Sequence, residues 1–448
     1  MQIGKKDVVW NYAATLVRIG SSFVLLPFIL KMLPAEKVGL WTIFMTIVAF
    51  SQLLDFGFNS SFTRNVTYVF SGVKNLKAQG FETVEEKGLN VDYRLLKGLI
   101  SSMKWFYSRT SIVFFILLIT IGTLYVRKLL VDYHYEKQEI YISWSILCVV
   151  SSFSLYTLYY DSLLLGKGLI KRSKQIIITA NLAYLVFAAV LIMSNFGLIA
   201  IVSAQALQVV LIRVLSHKSF YTIELKRELI SAPEASQKEI IKAIYPNAVK
   251  IGLTIVGGFL IQKSSIFIGS MYLSLSEIAS YGISMSLIGV IAGLAGIVIN
   301  TYQPKITQLR VEDNYGQIRK IYMLGIIFLL LTYLFGGGGI LILGDWALKL
   351  IGSQTQLMPS FILFIAIISS LDQANLTMSG NIIVTKNEVP FYKASLISGV
   401  VIVISLLLSF KFFHLGLLSM VLIPLVVNLA YQSWKWPYEV IKDLYISK

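Results

Sequence analysis

The sequence predicts an all-α, polytopic membrane protein of about 12 transmembrane helices, arranged as two related six-helix lobes around a central cavity. Three observations carry that reading. Apolar residues fill the chain in about a dozen runs of roughly 20, the length at which a helix crosses the hydrocarbon core of a bilayer. Composition agrees: 56% of residues are hydrophobic and 14% charged, with a mean hydropathy of +0.73, where a soluble domain carries about 25% charged residues. Lone charges also stand inside these runs: Arg18, Asp55, Asp161, Lys250, Lys263 and Asp372. A charge at such a depth costs about 2.5–3.5 kcal/mol on insertion scales, so it faces water, a partner charge or a substrate. A polar interior inside an apolar shell suggests a transporter.

The expected spans are 8–30, 38–62, 107–130, 141–165, 174–195, 196–215, 245–272, 279–303, 321–343, 358–384, 394–412 and 415–434. The first has no small-residue cleavage site after it and is interrupted by Arg18, so it reads as a retained span and not a signal peptide. The even number puts both termini on one side. With that side assigned to the cytoplasm, 28 of the 39 basic residues fall in cytoplasmic segments and seven in outer ones, the bias expected of inner loops. Topology thus accounts for most of the net charge of +16, and nucleic acid is not needed as a partner. The single cysteine, Cys148, excludes an internal disulfide and a cysteine-based metal site.

Pro233 marks the join between two halves: an N-terminal lobe over 1–215, a cytoplasmic connection over 216–244 and a C-terminal lobe over 245–448. The halves look related. The stretch from Leu33 to Trp41 aligns with that from Leu273 to Tyr281 at an offset of 240, which matches Val38 to Ile278 and Met45 to Met285. An even number of spans per half implies a parallel repeat about an axis along the membrane normal, with a cavity between the lobes as the expected substrate site.

Polar side chains fall on single helical stripes. Span one carries Asn11, Thr15, Arg18 and Ser22; span two carries Gln52, Asp55 and Asn59; span four carries Ser154, Thr157 and Asp161; span ten carries Ser369, Asp372, Asn375 and Ser379. Arg18 either pairs with Asp55 inside the first lobe or stays available to an anionic substrate. Lys250 and Lys263 lie 13 residues apart, about 220° around a straight helix, and share a face only if Gly257-Gly258 bends it. Either lysine could instead snorkel to an interface. Asp161 and Asp372 read as structural partners of cations, as proton or sodium sites, or as substrate contacts. The tyrosines beside Asp161, Tyr156, Tyr159 and Tyr160, either pack or stack on sugars. The histidines, His134, His217 and His414, sit at span ends without ligand spacing. No P-loop, D-x-D, HExxH or catalytic-triad signature occurs, so no metal or cofactor is expected, and an ion gradient, the membrane potential or the substrate gradient would drive transport.

Leu25-Leu-Pro-Phe-Ile-Leu-Lys-Met-Leu-Pro-Ala-Glu-Lys-Val-Gly-Leu-Trp41, with Leu53-Leu-Asp-Phe-Gly-Phe-Asn-Ser-Ser-Phe-Thr-Arg64 after it, resembles the Wzx-type polysaccharide flippases of the multidrug/oligosaccharidyl-lipid/polysaccharide exporter superfamily. Those motifs cover about the first 70 residues; span number, the two-lobe repeat and the basic charge extend the likeness over the chain. The resemblance implies two six-helix bundles around a V-shaped cavity that opens alternately to each side of a bacterial cytoplasmic (inner) membrane. It also implies an undecaprenyl-diphosphate-linked oligosaccharide, the repeat unit of O-antigen or a related surface glycan, as cargo. Membrane lipids and other polysaccharide-assembly proteins are the implied partners. A diphosphate calls for cations in a partly desolvated cavity, and sugars call for amides and hydroxyls. The candidate substrate-binding residues are therefore Arg18, Asn11, Thr15, Lys250, Lys263 and Asn59, with Asp55, Asp161 and Asp372 as ion-coupling or ion-pair residues. A multidrug or organic-cation exporter of the same superfamily is the alternative, and its cavity should favour acids. A membrane-embedded polymerase or glycosyltransferase would need a larger outer loop than this chain has.

Overall fold

A computed structural model describes residues 24–70, 72–73, 91–131, 133, 136–233, 235–311, 314–386 and 390–446, with positions 10, 13, 17 and 20 before them. Among these residues the fold is entirely helical, without a strand. Ten helices are long and apolar enough to cross a membrane, and a bent pair, Leu417–Ala430 with Gln432–Tyr445 at 44°, makes an eleventh. The chain is a multi-pass membrane protein. The first expected span, 8–30, lies largely outside the described residues.

Local chemistry sets where helices begin. Ser274 and Glu277 form a reciprocal cap: the Glu277 N–H donates to the Ser274 hydroxyl at 3.3 Å, and the Ser274 N–H donates to the Glu277 carboxylate at 2.9 Å. The helix they start, Leu275–Ala295, begins 240 residues after Ala35–Ala49, the offset read from the repeat. Asp92 caps the next long helix by accepting from the Leu95 N–H at 2.9 Å. That helix runs over Tyr93–Leu129, 37 residues including a π-helical turn at Leu118–Gly122. It therefore begins well before the expected 107 and is about 55 Å long. Its counterpart in the second half, Tyr315–Ile351, also has 37 residues and a π-helical turn, at Tyr333–Gly337. Two of the four consecutive glycines, Gly336 and Gly337, fall in that turn. A Cβ at these positions would meet Ile291 at 3.0 Å and Ile367 at 2.8 Å, so they admit the neighbouring helices.

Gly257 is a point of close helix approach. Gln237–Gly269 is continuous through Gly257-Gly258, and a Cβ on Gly257 would lie 2.7 Å from the backbone of Ser395 and Leu396. The glycine lets two helices approach closely, as small residues do in membranes.

Packing divides the chain into two compact units. One comprises Met1–Phe28 and Ile47–Ile255, the other Ile29–Thr46 and Val256–Lys448. The connection over 216–244 packs on the first unit, where Lys97 Nζ donates to the Ala232 carbonyl at 2.7 Å and Ala235 crowds Gly98. The segment 29–46 groups with the second unit because Gly39 abuts the Leu275 carbonyl and Thr42 abuts Gly282. In that same unit Asp443, near the end of the chain, takes 2.8 Å from Arg310 and also pairs with Lys386.

Candidate functional site

Two interrupted helices carry the interior acids of the first unit. The helix Ser51–Asp55 ends at Phe56 and Gly57, both left-handed at φ 47° and 75°, and a new helix starts at Phe58. Gly57 suits the conformation and the space, since a Cβ there would meet Ile251 at 2.6 Å and the Ala248 carbonyl at 3.1 Å. The restart frees backbone N–H groups, and the Asp55 carboxylate accepts from that of Asn59 at 3.1 Å, an anion at the positive end of a helix. Tyr107, fully buried, donates its hydroxyl to Asp55 at 2.6 Å. Lys137–Tyr156 is likewise interrupted at Thr157, and Asp161 lies in the first turn of the restarted helix Tyr159–Gly166. Ser162 then donates to the carbonyl of Asn59 at 3.0 Å and also bonds its side chain, tying the two restarted helices together.

Asp161 is not a lone charge. Arg213, on Gly197–Phe220, donates to it at 2.8 Å and to the Ser154 carbonyl at 3.4 Å, and its guanidinium is nine-tenths buried. Buried Arg213 Nε has no hydrogen-bond partner among the described residues. The tyrosines beside Asp161 are packed: Tyr159 stacks on Tyr160 at 4.4 Å between ring centres, and the Tyr160 hydroxyl bonds His217 Nδ1 at 2.9 Å. Lys167 follows, over the rings of Phe220 and Phe70 at 5.4 and 5.8 Å. Burial pushes its ammonium below the usual lysine range, and Glu224 opposes that shift.

The second unit holds a cavity. It has a volume of about 440 Å³, within the range of small-molecule sites. Amides from four helices reach it: Gln262, Asn300, Gln373, Asn381 and Asn428. Asn428 donates to Gln373 at 3.3 Å, and Asn381 donates to Asn300 at 3.3 Å. Gln432 continues the chain of amides by donating to Asn428 at 3.4 Å. Ser369, Ser370 and Thr377 add hydroxyls from helix Ser360–Val384. Lys263 is the one charged side chain among the described residues lining the cavity, and no carboxylate lines it. It is half-buried on the cavity wall.

No family model and no curated protein matches the chain. Solved structures do. An inward-facing multidrug-resistance MATE transporter of the MOP superfamily matches at TM-score 0.64 with 15% identity, over 96% of this chain and 95% of that one. The lipid II flippase MurJ, in an inward closed conformation, matches at 0.59 with 12% identity, over 98% and 88%. A MOP-superfamily transporter from Pyrococcus furiosus, described as having a binding pocket of reverse polarity, matches at 0.56 with 15% identity, over 98% and 96%. The chain has the fold of these transporters.

Within this fold the sequence-derived candidates separate. Asp55, Asn59 and Asp161 come together in the interior of the first unit. Lys263 lines the cavity of the second. Asp372 is half-buried on Ser360–Val384 beside the lining residues and is not one of them; its buried Oδ2 has no hydrogen-bond partner among the described residues. Asn11, Thr15 and Arg18 lie outside the described residues, as does the side chain of Lys250, whose backbone is part of Gln237–Gly269. Arg213, Tyr107 and Ser162 are interior residues that the sequence reading missed. Arg213 carried a usable signal, a cation flanked by Val209, Leu211, Val214 and Leu215, but its place at a span end assigned it to a loop. Tyr107 carried none among 24 tyrosines.

Proposed function

We propose that this protein is a lipid-linked oligosaccharide transporter that moves a polyprenyl-diphosphate-linked glycan, a repeat unit of O-antigen or a related surface polysaccharide, across the bacterial cytoplasmic membrane by alternating access. The observation that carries the reading is the lining of the second unit's cavity: five amides, several hydroxyls and one lysine, without a carboxylate. Amides and hydroxyls match the donor and acceptor pattern of a sugar. A lysine in a partly dry wall favours a phosphate, which it holds as a point charge. A cavity selective for organic cations would place acids on its wall. The acids of the first unit are engaged by Tyr107, Asn59 and Arg213. Arg18 and Lys250 are further cations offered to the diphosphate, with Asn11 and Thr15 as sugar contacts, and Asp372, Asp161 and Asp55 are the candidate acids for ion coupling or ion pairing. Both termini would face the cytoplasm, where the lipid-linked unit is assembled.

The test is transport in proteoliposomes. Lipid-linked oligosaccharide should be translocated without ATP, and Lys263→Gln should slow it about tenfold or more, since charge-assisted hydrogen bonds contribute about 1.5–3 kcal/mol each. Lys263→Glu should slow it further. Wild-type protein that expels organic cations and moves no lipid-linked glycan would overturn the proposal in favour of a multidrug exporter.

A further inference from the structure

Arg109 is exposed on a membrane-spanning helix, and neither the cavity nor the polar interior described for the first unit uses it. It belongs to Tyr93–Leu129, in the middle of that helix, which carries Arg127 and Lys128 near its carboxy-terminal end. Arg109 precedes Arg127 by 18 residues, about 27 Å along the helix and close to the roughly 30 Å of a hydrocarbon core. The two cationic positions therefore mark the two interfaces. Between them the same face exposes Ile112, Val113, Ile116 and Ile119. At its beginning stands Trp105, 40% exposed, with the guanidinium carbon of Arg109 4.1 Å over its ring centre.

Two features separate this pair from a stray surface cation. Arg109 is exposed, no ion pair or hydrogen bond engages it among the described residues, and its contact with the Trp105 ring face occupies none of its N–H donors. The related helix Tyr315–Ile351 also dispenses with the charge. Arg109 lies nine residues before the π-helical turn of its helix, and the residue nine before the turn at Tyr333–Gly337 is Leu324, itself 51% exposed. The fold thus accepts an apolar residue at this place, and the first unit has a stacked arginine instead.

We propose that Arg109, held by Trp105, forms a binding site for the phosphate of an anionic phospholipid in the leaflet at the amino-terminal end of Tyr93–Leu129. The depth is that of the headgroups, the surroundings are apolar, and the unused donors suit a phosphate oxygen pair. A bilayer phospholipid is the occupant because the pair is exposed among exposed apolar side chains of a membrane-spanning helix and does not line the cavity.

The experiment reconstitutes the full chain in vesicles of phosphatidylcholine containing either brominated phosphatidylglycerol or brominated phosphatidylcholine. Tryptophan quenching is read in the wild type and in Trp105→Phe, so that the difference belongs to Trp105. One surface cation enriches anionic lipid about fivefold, and the Trp105 quenching ratio between the two lipids should approach that figure. Arg109→Gln should bring the ratio to about 1, and Arg109→Lys should be intermediate. Equal quenching by both lipids in wild type, or an unchanged ratio in Arg109→Gln, overturns the proposal. Loss of the ratio on adding a small fraction of undecaprenyl phosphate also overturns it, because the site would then belong to a polyprenyl lipid.

Discussion

Tyr107 donates its hydroxyl to the Asp55 carboxylate at 2.6 Å across 52 residues of sequence, and the same carboxylate accepts the Asn59 N–H where the second helix restarts. One acid therefore does two things. It caps a helix whose first turn would otherwise leave N–H groups unpaired, and it fastens that helix to Tyr93–Leu117.

Removing the phenol hydroxyl should separate these roles. Tyr107→Phe leaves the cap intact and takes a hydrogen bond from a charged acceptor in the protein interior, a loss of about 1.5–3 kcal/mol. Thermal unfolding in detergent should show a lower midpoint for Tyr107→Phe, and a larger drop for Asp55→Ala, which loses the cap as well. Equal midpoints for wild type and Tyr107→Phe would contradict the geometry.

Asp161 and Arg213 should behave as a coupled pair. Arg213 is nearly buried while the Asp161 side chain is 36% exposed, so stranding the arginine costs more than stranding the acid. Asp161→Ala should destabilise by about 3 kcal/mol, the lower end of the 3–5 kcal/mol seen for a broken buried pair, because solvent screens the partly exposed acid. Arg213→Ala should cost less than Asp161→Ala, and the double variant should recover part of the Asp161→Ala loss. Strict additivity of the two losses in a double-mutant cycle would show that the 2.8 Å contact carries no energy.

Glycine-to-alanine changes should differ in sign by position. A Cβ on Gly39 would collide with the Leu275 carbonyl oxygen, whereas nothing lies within 4 Å of a Cβ on Gly338. Gly39→Ala should force two helices apart and lower both yield and thermal midpoint. Gly338→Ala should be neutral or stabilising by up to about 1 kcal/mol, the helix-propensity difference. A tolerated Gly39→Ala would mean that the helices Ala35–Ala49 and Leu275–Ala295 are not in contact there.

Membrane topology follows from the sorting of basic residues. Single cysteines at Lys77 and Gln237, in a Cys148→Ser background, should react with an impermeant thiol reagent only from the cytoplasmic side, and one at Gln138 only from outside. Labelling of Gln237→Cys from outside would place the connection between the halves on the wrong side and break the proposed orientation.

Hydropathy alone located the spans, because desolvating twenty residues dominates every other energy in a bilayer and leaves a continuous apolar run in the chain. The internal repeat was legible too: the offset of 240 read from Leu33–Trp41 and Leu273–Tyr281 is the offset between the helices that begin at Ala35 and Leu275. Asp55 and Asp161 were recognisable as interior acids for the same reason, since charge inside an apolar run is costly wherever it points. Their partners were not. Tyr107 is one tyrosine of 24, and only the packing of two helices brings its hydroxyl within 2.6 Å of Asp55. Arg213 looked like a loop cation until the interruption at Thr157 turned Asp161 toward it. Helix breaks at Phe56-Gly57 and Thr157, the role of Gly257 as a close contact, and the joining of 29–46 to the second unit likewise depend on which surfaces meet. Burial energy is local and additive along the chain, so it can be read residue by residue. A hydrogen bond or an interhelical contact requires two distant segments at one distance and angle, and tertiary packing alone supplies both.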